Sequence, residues 1–236
     1  RILASHGARV VGGSVAAGGG IRPGVEVRAR AAFNPGLESR VYNVPGVIAV
    51  IVLLMCLLLT AMAVVREREL GTLDQLLVSP LTPGQLMLGK TLPVALVALL
   101  QMALVTGVAM LWFDIPFRGS PLALVIAAAL YILAGLSFGL VLSTVSRTQQ
   151  EAFLGLFLFF LPAIILSGFL YPVETMPPFF QTLTLFNPLR HFLEVVRDIF
   201  LKGSGIADLW IQFLVLAGMA GAGLHFATRR FHKDMA

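Results

Sequence analysis

The sequence predicts an all-α polytopic membrane protein, and three observations carry that expectation. Hydrophobic residues make up 58% of the 236 residues and charged residues only 12%, where a soluble domain carries about 25% charged residues. The mean hydropathy is +0.90. The apolar residues also gather into long uncharged runs, each able to cross a hydrocarbon core of about 30 Å as a helix. So few charges cannot cover a chain of this length with a water-facing surface, so over most of it the solvent is lipid.

Residues 1–43 stand apart. They are rich in Gly and Arg, and Val25–Ala31 alternates apolar and charged side chains, the pattern of a half-exposed strand. This stretch reads as the end of a small extramembrane domain, and residues 44–236 as the membrane domain. From Val44 to Val65 no charge occurs, and as a helix that run would reach about 33 Å. Pro45 and Gly46 stand at its start, where a missing N–H is tolerated, and Arg66 ends it. Four more spans are expected at Thr91–Phe113, Pro121–Val145, Phe153–Tyr171 and about Ala207–Thr228. Backbone polar groups in lipid must be bonded within the segment, so all five runs are predicted to be helices.

Five spans put the two ends on opposite faces. Arg66, Arg68, Lys90, Arg147, Arg229, Arg230 and Lys233 then share one side. Arg118, Arg190, Arg197 and Lys202 share the other with residues 1–43. Long extramembrane stretches count little in this comparison, so the balance favours a cytoplasmic C-terminus. The formal net charge of +5 lies in such membrane-flanking positions, with no basic stripe interleaved with aromatics, and no nucleic-acid partner is expected. The single cysteine, Cys56, falls inside an apolar run and reads as a small hydrophobe.

The segment Arg66–Pro80 places Leu70, Leu73, Leu76 and Leu77 at helical spacing, with Glu69, Thr72, Asp74 and Gln75 between them. This is the pattern of a short amphipathic helix that stops before Pro80. It serves either as an interfacial connector or as a docking helix whose apolar ridge fills a partner's groove. Just beyond, Gly84–Thr91 reads GQLMLGKT and matches the letters of a phosphate-binding loop. A working loop needs a preceding strand and a tight turn. Here an apolar helix follows and Gln85–Leu88 suits its entry, so Lys90 is read as an interfacial anchor.

The stretch VRERELGTLDQLLVSPLTPGQLMLGKTLP resembles the type 2 ABC exporter permeases, in which Glu-x-Gly-Thr, a leucine-rich turn and a proline follow a transmembrane helix. Those positions are Glu69, Gly71, Thr72, Leu73, Leu76, Leu77 and Pro80. The resemblance continues through FNPGLESRVYNVPGVIAVI before it and SGFLYPVETMPPFFQTLTLFNPLRHFLEVVRDIFLKG after it. It implies six spans, an external domain between the first two, and a cytosolic coupling helix at Glu69–Pro80. It also implies a dimer with a second, identical or homologous permease, driven by ABC ATP-binding subunits that hold the ATP and Mg. On that plan the chain would start late in the external domain, after the first span and most of that domain. Its five spans would be the second to the sixth, in a bacterial inner or plasma membrane with the C-terminus cytoplasmic.

The long break Pro172–Ile206 is too polar to cross in one pass. Asn187 and Pro188 make a helix start and Gly203 a stop. Leu189, Phe192, Leu193, Val196 and Phe200 form an apolar face, with Arg190, Glu194 and Arg197 opposite at ion-pair spacing. The residues alone suit a helix lying on the outer surface. The resemblance implies an external re-entrant hairpin that gates the exit, with Pro172, Asn187, Pro188, Arg190, Glu194 and Arg197 in it. Within the spans, Gly135 and Gly139 make a small-xxx-small step for close helix packing, and Pro162 and Gly168 should bend the fourth span.

Three functions compete. An ion-coupled transporter or channel uses ionisable residues at mid-membrane, and the central turns of the spans hold no Asp, Glu, Lys or Arg. A polytopic membrane enzyme needs a nucleophile, metal or acid–base cluster, and neither HExxH nor metal-ligand spacing occurs. The reading that remains is a permease without catalytic residues or cofactors of its own, moving a hydrophobic or amphipathic substrate outward by alternating access.

Overall fold

The computed structural model describes residues 39–71 and 83–234. The strand expected at Val25–Ala31 and most of the leucine-rich segment after Gly71 lie outside those residues. Among the described residues every regular element is helical. In chain order they are α1 (Ser39–Glu69), α2 (Pro83–Leu111), α3 (Pro121–Val145) and α4 (Gln149–Ile165). A 3-10 turn at Val173–Thr175 follows, then α5 (Pro178–Thr184), α6 (Pro188–Arg197) with a π-helical continuation over Asp198–Lys202, and α7 (Trp210–Asp234).

Four of these hold segments long and apolar enough to cross a membrane: Asn43–Glu69, Leu88–Leu111, Pro121–Val145 and Trp210–Arg230. The expected third span, Pro121–Val145, matches its helix residue for residue, because a Ser120 cap with Pro121 in the first turn and an extended Ser146 bound it sharply. α1 runs past the uncharged core at both ends, so Pro45 lies inside the helix rather than in its first turn. The GQLMLGKT stretch falls within α2 and is helical backbone, not a loop.

α4 departs most from the expectation. The apolar run begins at Phe153, but the helix begins four residues earlier. Thr148 Oγ1 accepts from Glu151 N at 3.2 Å, and Glu151 Oε2 accepts from Arg147 N at 2.8 Å. This is a close relative of the capping box. The helix contains Pro162 and ends at Ile165, after 17 residues, about 25 Å of rise. Gly168 then takes a positive φ of 82°, a left-handed turn that suits glycine, and the chain folds over into the hairpin.

The bundle is built around α3, which packs against α1, α2, α4, α6 and α7. In its spanning window 61% of residues are buried, against 17% for α2 and 22% for α7, so the last two present most of their surface outward. Glycines let α1 and α3 approach. A Cβ on Gly135 would stand 3.0 Å from Cys56 Cβ, and one on Gly139 would stand 2.8 Å from Thr60 Cβ. Dispersion across such close backbones holds helices together where no hydrophobic driving force exists. Tyr131 adds a polar tie: its hydroxyl donates to Ala49 O at 2.9 Å, and its ring stacks on Phe192 of α6 with centroids 4.0 Å apart.

Candidate functional site

Two polar regions stand at opposite ends of the bundle. The first gathers the end of α1, the start of α2, the end of α3 and the start of α4. Its sequence source is Arg66-Glu67-Arg68-Glu69. Successive helical residues point about 100° apart, so consecutive charged side chains fan out towards different neighbours. Glu67 forms an ion pair with Lys90 of α2. Arg68 reaches the end of α3, where its guanidinium donates to Ser146 O at 2.9 Å, Ser143 O at 3.3 Å and Thr144 O at 3.5 Å. Glu69 accepts from Gln149 Nε2, at the first turn of α4. The signs match the helix ends: a cation stands at the C-terminal carbonyls of α3 and an anion at the N-terminus of α4.

α1 closes with Leu70 N donating to Arg66 O at 3.0 Å and Gly71 N to Arg68 O at 3.2 Å. Gly71 takes a positive φ of 71°, the left-handed conformation that ends helices. Of the expected docking residues, Glu69 and Gly71 are thus the end of α1 and its cap. Thr72, Leu73, Leu76, Leu77 and Pro80 lie outside the described residues. Nearby, Met62, Gln149, Gln150, Phe153 and Leu154 line an open cleft of about 440 Å³ between α1 and α4.

The second region is the hairpin between α4 and α7. Asn187 caps α6 by accepting from Leu189 N at 3.1 Å, and Pro188 fills its first turn. Gly203, with a φ of 77°, closes the segment. The apolar face is fully enclosed: Leu189, Phe192, Val196 and Phe200 are each 0% exposed and Leu193 is 1% exposed. α6 packs against α1, α3 and α7, so it is inserted among helices rather than laid upon them.

Its polar side chains bind backbone. Asn187 Nδ2 donates to Ala163 O at 2.6 Å, and Arg197 Nη1 to Gly168 O at 3.2 Å. These carbonyls belong to the last turn of α4 and to the turn beyond it, which irregular backbone leaves without helical partners. Arg190 pairs with Glu194 at 3.2 Å and bonds to Thr184 Oγ1, while His191 Nε2 lies 3.0 Å from Leu185 O. Pro172 O accepts from Thr175 N and Oγ1 in the 3-10 turn. The structure therefore brings Asn187, Pro188, Arg190, Glu194 and Arg197 together on one short helix, with Pro172 at the entry.

The match to known proteins decides the family. Residues 22–228 fit the family described as ABC-2 family transporter protein. The chain belongs to that family. It is 40% identical over 201 residues to the Escherichia coli K12 protein named "Probable multidrug ABC transporter permease YbhR", covering 84% of this chain and 55% of that protein. The permease YbhS of the same organism is 34% identical over 199 residues, covering 84% and 53%. The inner membrane transport permease YhhJ is 34% identical over 220 residues, covering 90% and 57%. The chain thus spans about half the length of the curated relatives it matches.

The chain belongs to a transporter family and holds, among the described residues, four helices long and apolar enough to cross a membrane, so it is a multi-pass membrane protein. Among the described residues no group of His, Cys, Asp and Glu could hold a metal ion. Sequence reasoning missed the contacts at the first region: Arg68 counted only as a membrane-flanking charge, and Glu67 and Gln149 were not singled out. The alternating charges before the left-handed glycine were a usable signal, as was the Thr148-x-x-Glu151 spacing.

Proposed function

We propose that this chain is the membrane-embedded portion of a permease subunit of an ATP-driven ABC exporter. The observation that carries the reading is the family match over residues 22–228, which runs through both polar regions. ATP and Mg belong to a separate ABC ATP-binding subunit. That subunit grips the segment Glu69–Pro80 as a coupling helix, and its hydrolysis cycle moves the helices joined to it. A second permease, identical or homologous, completes the path, and rigid-body rearrangement alternates access across it.

The segment around α4 makes the fifth crossing. Its helix is about 5 Å short of a hydrocarbon core. The turn after Ile165 supplies the remainder, because Asn187 and Arg197 satisfy its carbonyls inside protein, the condition under which irregular backbone is tolerated at membrane depth. The hairpin with Pro172, Asn187, Pro188, Arg190, Glu194 and Arg197 is then a re-entrant element on the outer side that gates the exit. Arg66, Arg68, Lys90, Arg147, Arg229 and Arg230 mark the cytoplasmic side, in the inner membrane of a bacterium. The relatives' names and the apolar bundle support a hydrophobic or amphipathic cargo.

The test is Leu73→Asp together with Leu76→Asp in the full-length protein. The pair should abolish co-purification of the ATP-binding subunit and substrate-stimulated ATP turnover. Unchanged capture and unchanged turnover would remove the coupling assignment.

A further inference from the structure

We propose that Glu67, Arg68 and Glu69 act as a distributor that passes a displacement at the end of α1 to three other helices at once. The inference rests on the coupling role proposed above for Glu69–Pro80. The coupling reading needs only that the segment be gripped. The contacts around α1 add how a push there reaches α3 and α4, to which the segment is not covalently joined, and tie α2 to α1 a second time.

Three consecutive residues each engage a different element. Glu67 holds α2 through Lys90, Arg68 holds the last carbonyls of α3, and Glu69 holds the first turn of α4 through Gln149. All three precede the left-handed Gly71 by four residues or fewer, so they sit where α1 meets the chain that leaves it. The charges are not interchangeable. Arg68 faces the negative end of α3 and Glu69 the positive end of α4, and a guanidinium spans several carbonyls as an ammonium does not.

Packing just inside this ring removes slack. Ala61, Val65 and Ala152 are each 0% exposed and pack with Leu142. A Cβ on Gly155 would stand 2.7 Å from Leu142 Cδ1. On this side α1, α3 and α4 therefore meet in direct contact, so a shift of α1 presses on α3 and α4. Arg68 and Glu69 are positioning residues in this scheme: they touch neither nucleotide nor cargo.

The test uses the full-length permease with its ATP-binding subunit in proteoliposomes. Spin labels at the exposed positions Leu88 and Gln150 report the separation of α2 and α4. The parent should show a nucleotide-dependent change in that distance. Glu67→Lys and Lys90→Glu should each lose the change and lower substrate-stimulated ATP turnover at least tenfold, with the ATP-binding subunit still captured at the parent ratio. Combining the two restores the ion pair with reversed sign and should recover most of both signals. Exchanging Arg68→Glu with Glu69→Arg places the wrong sign at both helix ends and should not recover them, whereas Arg68→Lys should recover part.

Capture at the parent ratio with unaltered distance change and turnover in Glu67→Lys overturns the distributor alone. So does a reversed pair that recovers neither signal. If the ATP-binding subunit never joins the parent, the coupling reading fails and takes this inference with it.

Discussion

The two polar ends of the bundle use the same residue types in different ways. At the ring around the end of α1, side chains reach between helices, and the contacts stay partly open to water: the Lys90 and Glu67 side chains are 15% and 31% exposed, and Glu69 is exposed. At the hairpin, Asn187 and Arg197 reach backbone carbonyls, and Asn187 and His191 are enclosed at 8% and 7% exposed, although the Arg190–Glu194 pair on the same helix stays open. Charge pairs near water cost little to break and re-form. A buried carbonyl that loses its donor keeps its full desolvation penalty. The contrast makes the ring's contacts cheap in stability and the hairpin's costly to lose.

Substitutions can break that contrast. The largest effect on stability is expected from Asn187→Ala. It removes a helix cap worth about 1 kcal/mol and orphans the Ala163 carbonyl at a further cost of about 1–3 kcal/mol. The thermal midpoint in detergent should fall clearly, and an unchanged midpoint would show that the hairpin is loosely held. Next comes Gly119→Ala. Its Cβ would lie 2.8 Å from Ile199 O and 3.0 Å from Ser204 O, and these are backbone atoms that cannot rotate away. Overpacking of this kind costs about 1–3 kcal/mol and should loosen the π-helical turn, read as faster amide exchange over Asp198–Lys202. The smallest effect belongs to Glu69→Gln, which should leave the midpoint within the range of about ±0.5 kcal/mol typical of surface changes. A fall as large as that of Asn187→Ala would mean that the ring carries as much stability as the hairpin.

Much of this fold was legible in composition and runs of uncharged residues, because lipid permits few alternatives to a helix. The third span was bounded to the residue, since Ser120-Pro121 and Ser146 are local signals that tertiary structure did not override. The start and stop of α6 at Asn187-Pro188 and Gly203 were readable for the same reason. The fourth span was not. Hydropathy places it at Phe153–Tyr171, whereas capping at Thr148 and the break after Pro162 shift the helix towards the N-terminus.

The depth of α6 was also hidden. An amphipathic period shows which face is apolar, but not that Val195, on neither predicted face, is buried as well. Nor can spacing along one chain reveal that Arg68 meets carbonyls more than seventy residues away. The charge pattern of the ring was visible, and its partners were not, because they depend on how α1, α3 and α4 come together.

Coupling requires that the segment after Gly71 face the cytosol, where an ATP-driven partner can reach it. A single cysteine placed at Gln75 in a Cys56→Ala background tests this directly with a membrane-impermeant maleimide. Inverted inner-membrane vesicles should label and right-side-out vesicles should not. Labelling from the outside of right-side-out vesicles would contradict the orientation, the coupling role and the distributor together.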